Sequence, residues 1–107
     1  MIGNITLAEA KDKIKNNKNV LLIFSTDWCG ECKMNTLIWE KVLPEYEKTL
    51  VYFKIDVDKQ KLWIENENPD FKINTVPTII GYQNGKIIFT QKNFLPEAKL
   101  RALLEQF

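Results

Sequence analysis

The chain has 107 residues, of which 45% are apolar and 27% are charged, and its formal net charge is +1. This length suffices for one domain with its own core, and the composition is that of an ordinary soluble globular protein. A net charge so close to zero gives no electrostatic reason to expect a nucleic acid or an acidic surface as partner. We therefore predict a single domain over residues 1–107 with no nucleic-acid partner.

Two features of the N-terminal region bear on where the chain works. The first residues, Met1 to Asn4, lack the basic segment followed by a long apolar segment that marks a secretory signal. The apolar run Val20 to Phe24 is far too short to span a bilayer, so no membrane partner is expected. The sequence predicts a cytoplasmic protein, and in that compartment two cysteines are more often catalytic or metal-binding than structural.

In the first half of the chain the predicted elements alternate between helix and strand. Thr6 and Glu9 have the spacing of a capping box, which predicts a helix from about residue 7 to 17. The run Val20 to Phe24 predicts a buried strand, and a second helix follows from about Cys29 to Leu43. The predicted apolar face of this second helix consists of Met34, Ile38 and Val42, with Leu37 nearby.

The middle of the chain contains a second strand and a less regular segment. Residues Val51 to Val57 are rich in β-formers and predict a strand. Residues 59 to about 67 predict a short helix that carries Leu62, Trp63 and Ile64. A turn is predicted over residues 66–70, where asparagine and proline cluster.

The last third of the chain predicts a hairpin and a helix. Asn84-Gly85 separates two β-rich runs, Thr78 to Tyr82 and Lys86 to Thr90, which is a strong hairpin signal. A final helix begins near Pro96, with a buried face at Leu100, Leu103, Leu104 and Phe107. The whole order predicts an α/β sandwich of three layers, in which a mixed central sheet has helices on both faces.

The most informative motif is Trp28-Cys29-Gly30-Glu31-Cys32, which contains both cysteines of the chain. A strand precedes the motif and a helix follows it, so the thiols lie at a helix N-terminus. Free N–H groups and the positive end of the helix dipole favour a thiolate there. Because the thiolate is the species that attacks disulfides, the motif predicts thiol–disulfide exchange.

Other functions of a Cys-x-x-Cys pair have less support in this sequence. A zinc site needs four ligands, and this chain has no histidine and no further cysteine. A metal ion or iron–sulfur cluster bridged between two chains remains an alternative. A purely structural disulfide would close a very short loop and would constrain little of the unfolded chain.

Taken together, these motifs resemble the thioredoxin-like family over nearly the whole chain. The matching segments are Trp28 to Met34, the strand end Asp56-Val57-Asp58, Val76-Pro77-Thr78, the Asn-Gly hairpin and the final helix. Residues Phe24 to Asp27, which lead into the motif, are closer to atypical bacterial thioredoxin-like proteins than to a housekeeping thioredoxin.

The resemblance implies a role for each matching residue. Cys29 would be the attacking thiolate, and Cys32 would be the resolving thiol. Because Cys29 lies at the start of the predicted helix and Cys32 lies a turn inside it, Cys29 is also expected to be the more exposed thiol. Trp28 would shield the site, and the variable pair Gly30-Glu31 would shape it. Pro77 would be a cis-proline opposite the cysteines, and the backbone of Val76 would pair with an extended substrate segment.

Several positions depart from the family pattern. Ile23 replaces a buried aspartate that is credited with moving the proton of the resolving thiol. Glu31 replaces proline, Leu37 replaces a kinking proline, and Asn93 replaces a glycine. Lys54 matches the lysine beside the missing aspartate. Lys54 and Asp27 are candidates for proton transfer or electrostatic support, and for Lys54 an ordinary solvated lysine is an equal alternative.

The predicted function is reversible dithiol–disulfide exchange on protein or low-molecular-weight disulfides, with no cofactor and no metal. A reductase or a low-molecular-weight thiol would supply the electrons, and the chain is expected to act as a monomer. The alternative is a non-catalytic binding module on the same fold, because a fold does not fix a function.

Overall fold

The computed structural model describes residues 2–66 and 71–107. Its helices are α1 (Leu7–Asn16), α2 (Gly30–Val42) and α3 (Glu97–Leu104), together with short 3-10 helices at Leu43–Tyr46 and Ile64–Asn66. Its strands are β1 (Asn19–Ser25), β2 (Val51–Asp56), β3 (Thr78–Gln83) and β4 (Lys86–Lys92). In this part of the chain no helix is long and apolar enough to cross a membrane.

The sheet is mixed, as the sequence predicted. Its strand order is β2-β1-β3-β4. Strands β1 and β2 are parallel, whereas β1 with β3 and β3 with β4 are antiparallel. The hairpin between β3 and β4 turns at Asn84 and Gly85, whose φ angles of 54° and 80° are those that this tight turn requires.

The sheet separates two apolar clusters, because successive side chains of a strand point to opposite faces. Leu21 and Ile23 of β1 join the cluster under α2 and α3, whereas Leu22 and Phe24 join the cluster under α1. The predicted placement of helices on both faces is therefore confirmed. Strand β1 lies at the centre of the fold, and its carboxyl end leads directly to the two cysteines.

The helix predicted over residues 59–67 is wrong for most of its length. Residues 57–61 form turns, Lys61 has a φ of 56°, and only Ile64–Asn66 form a short 3-10 helix. Trp63 instead bridges to Ile73, and this pairing ties the segment to the rest of the fold. The end of that helix at residue 67 and most of the predicted turn over 66–70 lie outside the described residues.

The predicted apolar face of α2 is also wrong in part. Met34 and Leu37 are exposed, and the buried residues of the helix are Cys32, Asn35, Trp39 and Val42. The difference arises because the helix buries a polar residue, Asn35, whose amide is hydrogen-bonded inside the fold. A pattern of apolar residues does not predict that a polar residue such as Asn35 is buried.

Candidate active site

The two cysteines lie where β1 passes into α2. Cys29 is the N-cap of α2, and its Sγ accepts a hydrogen bond of 3.0 Å from the backbone N–H of Cys32. A disulfide joins Cys29 to Cys32, with their Cα atoms 5.2 Å apart. The sulfur of Cys29 therefore occupies the place of a capping oxygen, at the positive end of the helix dipole, which is the setting that stabilises a thiolate.

The two cysteines differ less in solvent exposure than the sequence predicted. Cys29 is 5% exposed and Cys32 is 3% exposed, so both are buried in the disulfide form. Gly30 opens α2, and a β-carbon at that position would meet open space. Position in the helix, at the cap for Cys29 and inside the first turn for Cys32, is the clearer difference between the thiols.

Trp28 is held beside the cysteines by a residue that the sequence reasoning gave no role. One carboxylate oxygen of Asp58 accepts from the indole N–H of Trp28 at 2.7 Å, and the other accepts from Trp63 at 2.6 Å. The two indole rings stack, with centroids 6.2 Å apart and planes 18° from parallel. Trp28 is nevertheless 65% exposed, so the structure presents a fixed aromatic surface to solvent.

The two indole donors also affect the charge of Asp58. The hydrogen bond from Trp63, and then that from Trp28, lower the pKa of Asp58 below its usual 3.8. A depressed pKa means that the ionised carboxylate contributes to stability above the usual value, and that this contribution is lost as pH falls through the folded-state value. The Trp28–Asp58–Trp63 unit is therefore intact across neutral pH.

Replacing Asp58 with asparagine should loosen this unit. The amide oxygen can accept from one indole, but the amide nitrogen is a donor and repels the second indole N–H. We expect a weaker near-ultraviolet circular dichroism signal from the tryptophans. In the wild type this signal should also weaken in acid, as Asp58 is protonated at a pH below its usual pKa, and Asp58→Asn should lack that pH dependence. Asp12→Asn is the control, because Asp12 is exposed on α1. An unchanged tryptophan signal in Asp58→Asn would contradict the assignment.

The Val76–Pro77 peptide bond is cis, the geometry that the resemblance implied. Pro77 is buried directly before β3, and its carbonyl oxygen accepts from the backbone N–H of Asn93 at 2.8 Å. The hydroxyl of Thr75 donates to the side-chain oxygen of Asn93 at 3.3 Å. The loop before β3 is thus bonded to the loop that follows β4.

The same loop after β4 is bonded to α2. A carboxylate oxygen of Glu31 accepts from the backbone N–H of Phe94 at 2.9 Å. The side chain of Asn35 donates to the carbonyl of Leu95 at 2.8 Å and accepts from its N–H at 2.9 Å. Asn93, at the position of the family's glycine, has a φ of 70°, a backbone conformation in which asparagine and glycine are the common residues.

Lys54 and Asp27 line the same cavity. Lys54 is the register partner of Ile23 across β1 and β2, and both Lys54 and Asp27 line a polar cavity of about 250 Å³. Among the described residues, neither cysteine lines that cavity. Asp27 is exposed and forms an ion pair of 3.9 Å with Lys59.

Comparison with known proteins decides the family. The family model for thioredoxin matches residues 2–106. This chain belongs to the thioredoxin family. The thioredoxin of Mycoplasmoides gallisepticum is 33% identical over 99 residues, which covers 92% of this chain and 93% of that protein. The thioredoxin of Acidithiobacillus ferridurans is 34% identical over 94 residues, covering 88% of this chain and 83% of that one.

Solved thioredoxin structures have the same fold. A thioredoxin of Plasmodium falciparum superposes with a TM-score of 0.83 at 30% identity and covers 99% of both chains. The oxidised mitochondrial thioredoxin 3 of Saccharomyces cerevisiae gives 0.81 at 26% identity, covering 99% of this chain and 95% of that one. With its Cys29–Cys32 pair, this thioredoxin-family chain is a thiol–disulfide oxidoreductase, as the sequence predicted.

In this thioredoxin-family site, Asp58 and Asn35 are the residues that sequence reasoning missed. Asp58 belongs to the strand-end motif Asp56-Val57-Asp58, a part of the family resemblance that by itself implies no partner for the carboxylate. Asn35 lies one turn after Cys32, and the sequence analysis gave it no place in the core or the site. In the described part of the chain, no group of three or more His, Cys, Asp and Glu side chains is arranged to hold a metal ion.

Proposed function

We propose that Cys29 is the nucleophile of this oxidoreductase and that Cys32 is the resolving thiol. The observation that carries this assignment is the hydrogen bond from the N–H of Cys32 to the Sγ of Cys29 at the N-cap of α2. The bond and the helix dipole both stabilise negative charge on Cys29. Cys32 lies inside the first turn and forms a disulfide with Cys29, which supports its proposed role of attacking Cys29 after the first exchange.

The reaction then proceeds in two exchanges. The Cys29 thiolate attacks one sulfur of a substrate disulfide, a mixed disulfide forms, and the other substrate sulfur leaves as a thiolate. The Cys32 sulfur, after losing its proton, attacks the Cys29 sulfur and releases the second substrate thiolate. The substrate gains two electrons, and the protein is left with the Cys29–Cys32 disulfide.

The neighbouring residues are proposed to bind the substrate. The exposed indole of Trp28 offers an apolar surface beside Cys29. The Val76 backbone precedes the cis bond to Pro77 and pairs with an extended substrate segment, as the family resemblance implies. Gly30 leaves open space at the start of α2, where the substrate sulfur must approach. Lys54 and Asp27, which line one cavity, are proposed to contribute to the electrostatics of the dithiol site.

The proposed partners are disulfide-bearing proteins or small disulfides as oxidants and a reductase or low-molecular-weight thiol as reductant.

We propose that the chain acts as a monomer of one domain, because the dithiol, Trp28 and Pro77 all come from a single chain. A cytoplasmic location is proposed on the cysteine content: both cysteines are used in the redox pair, which is usual in a reducing compartment.

The test of this function is selective alkylation coupled to an activity assay. Fully reduced protein is treated with iodoacetamide at about pH 6, where an ordinary thiol is almost entirely protonated, and the product is mapped by mass spectrometry. We expect Cys29 to be modified first and insulin reduction with dithiothreitol to be lost in parallel. Preferential modification of Cys32 would reverse the assignment, and no acceleration of insulin reduction by the untreated protein would overturn the function.

Ile23 allows a test of how Cys32 loses its proton. Ile23 is fully buried in the apolar cluster under α2, so this chain has no carboxylate at the position where the family resemblance expects one. We expect the release of product from the mixed disulfide to be slow, and Ile23→Asp to accelerate it at a cost in stability from the buried carboxylate. The measurement is single-turnover product release.

Ile23→Asn is the matched control for that substitution, because it is polar and similar in size but takes up no proton at neutral pH. Acceleration by aspartate alone supports a proton-transfer role. A wild-type release rate already equal to that of Ile23→Asp would show that the missing carboxylate does not limit the reaction.

A further inference from the structure

Glu31 lies between the two cysteines in sequence, and its hydrogen-bond partner was not predicted from the sequence. Its carboxylate accepts from the N–H of Phe94, which belongs to the loop that follows β4. A proline, which the family carries here, has no side-chain acceptor and makes no such bond. The bond is therefore a property of this chain, and it starts on the dithiol motif itself.

The bond completes a continuous connection across the site. From Glu31 the connection passes to Phe94, along the backbone to Asn93, and from the N–H of Asn93 to the carbonyl of Pro77. Thr75 adds a second contact to Asn93. The loop of residues 93–95 is therefore hydrogen-bonded both to the dithiol motif and to the segment of the cis-proline.

Two residues of α2 hold this loop in different ways. Asn35 is fully buried and satisfies both backbone groups of Leu95, so it anchors the loop to the core. Glu31 is exposed and fixes only the Phe94 amide, at the rim that faces solvent. Losing the Glu31 bond should therefore loosen the rim of the loop while the fold persists.

We propose that Glu31 is a positioning residue that pre-orders the loop of residues 93–95 for protein disulfides, so that this chain favours polypeptide over small disulfides. The inference rests on the proposed function of Cys29. A loop that is already ordered costs less entropy when a polypeptide docks along it, whereas a small disulfide touches only the sulfur region and gains nothing from it. Glu31 acts through the loop and not on the reacting sulfurs.

The test compares Glu31→Gln with Glu31→Ala. Both variants remove the same negative charge, but glutamine keeps an oxygen that can accept from Phe94 and alanine does not. Single-turnover oxidation of the pre-reduced protein is measured with insulin and with hydroxyethyl disulfide. The readout is the ratio of the two second-order rate constants, in which the intrinsic reactivity of the Cys29 thiol cancels.

We expect the ratio for Glu31→Ala to fall about threefold below that for Glu31→Gln, the size of effect that one exposed hydrogen bond supports. Amide hydrogen exchange of Phe94, followed by NMR, should be faster in Glu31→Ala and near the wild-type rate in Glu31→Gln. Glu40→Ala is the matched control, because Glu40 is exposed on the same helix, and it should leave both readouts unchanged.

The outcomes separate this inference from the function on which it rests. Equal ratios in Glu31→Ala and Glu31→Gln, or equal Phe94 exchange rates, would overturn the positioning role while the wild type still reduces both disulfides. A wild type that reduces neither disulfide would overturn the proposed function, and the inference with it.

Discussion

Cys29→Ser is expected to lower the rate of insulin reduction at least about a hundredfold, because a serine hydroxyl is not ionised at neutral pH and cannot replace the thiolate. Cys29 Sγ holds the capping position of α2, and a serine oxygen can keep the hydrogen bond from the N–H of Cys32. The fold should therefore persist while the chemistry is lost. The rate is measured with dithiothreitol as the reductant.

Cys32→Ser should behave differently from Cys29→Ser. It retains the nucleophile but cannot resolve the mixed disulfide, so up to one substrate molecule per protein should stay attached until dithiothreitol is added. The attached species is read by non-reducing mass spectrometry. Thermal unfolding of both variants is compared with that of the reduced wild type, since neither variant can form the disulfide. Trapping by Cys29→Ser and not by Cys32→Ser would exchange the two roles.

Asn35→Ala is expected to have a large effect on stability, although Asn35 is polar and lies outside the dithiol. The substitution leaves the N–H and the carbonyl of Leu95 buried without their partner, and each such group costs about 1–3 kcal/mol. We expect the free energy of unfolding to fall by about 2–4 kcal/mol, since part of the loss is recovered by relaxation. Urea denaturation of the oxidised protein provides the measurement.

The control for Asn35→Ala is Asn16→Ala. Asn16 is exposed at the end of α1, so this substitution should change the free energy of unfolding by less than about 0.5 kcal/mol. Asn35→Asp gives a second, pH-dependent check. Its carboxylate accepts from the N–H of Leu95 but faces the carbonyl of Leu95 without a donor. Its folded-state pKa is then raised, and stability should increase as pH falls through that value.

A cost below about 1 kcal/mol for Asn35→Ala would contradict the anchoring role of Asn35. The result also bears on Glu31, because the two residues hold adjacent parts of one loop. If Asn35 anchors the loop, then Asn35→Ala should affect folding, whereas Glu31→Ala should affect only the choice of substrate.

The sequence by itself determined the features that depend on local patterns. The capping box of Thr6 and Glu9, the Asn84-Gly85 hairpin and the alternation of helix and strand all use short-range geometry, and the structure contains each of them. The Cys-x-x-Cys motif between a strand and a helix was sufficient to predict an oxidoreductase, because the helix N-terminus alone explains why a thiol there reacts.

Only the tertiary structure decided which face of α2 is buried and what each polar residue of the site contacts. Asn35 is buried because its amide pairs with Leu95, 60 residues away, and no local pattern contains that partner. The bond from Glu31 to Phe94 spans 63 residues, and the bond from Trp28 to Asp58 spans 30.

The mistaken helix after β2 has the same origin. A helix was expected there, but Trp63 bridges to Ile73, the Ile64 N–H donates to the carbonyl of Ile73, and the Ile73 N–H donates to the carbonyl of Leu62. Bonds to a more distant segment therefore replace the helical bonds. The periodicity of apolar residues predicts which face of a helix is buried. It does not predict the hydrogen-bond partner of a buried polar group, because that partner comes from a segment distant in sequence.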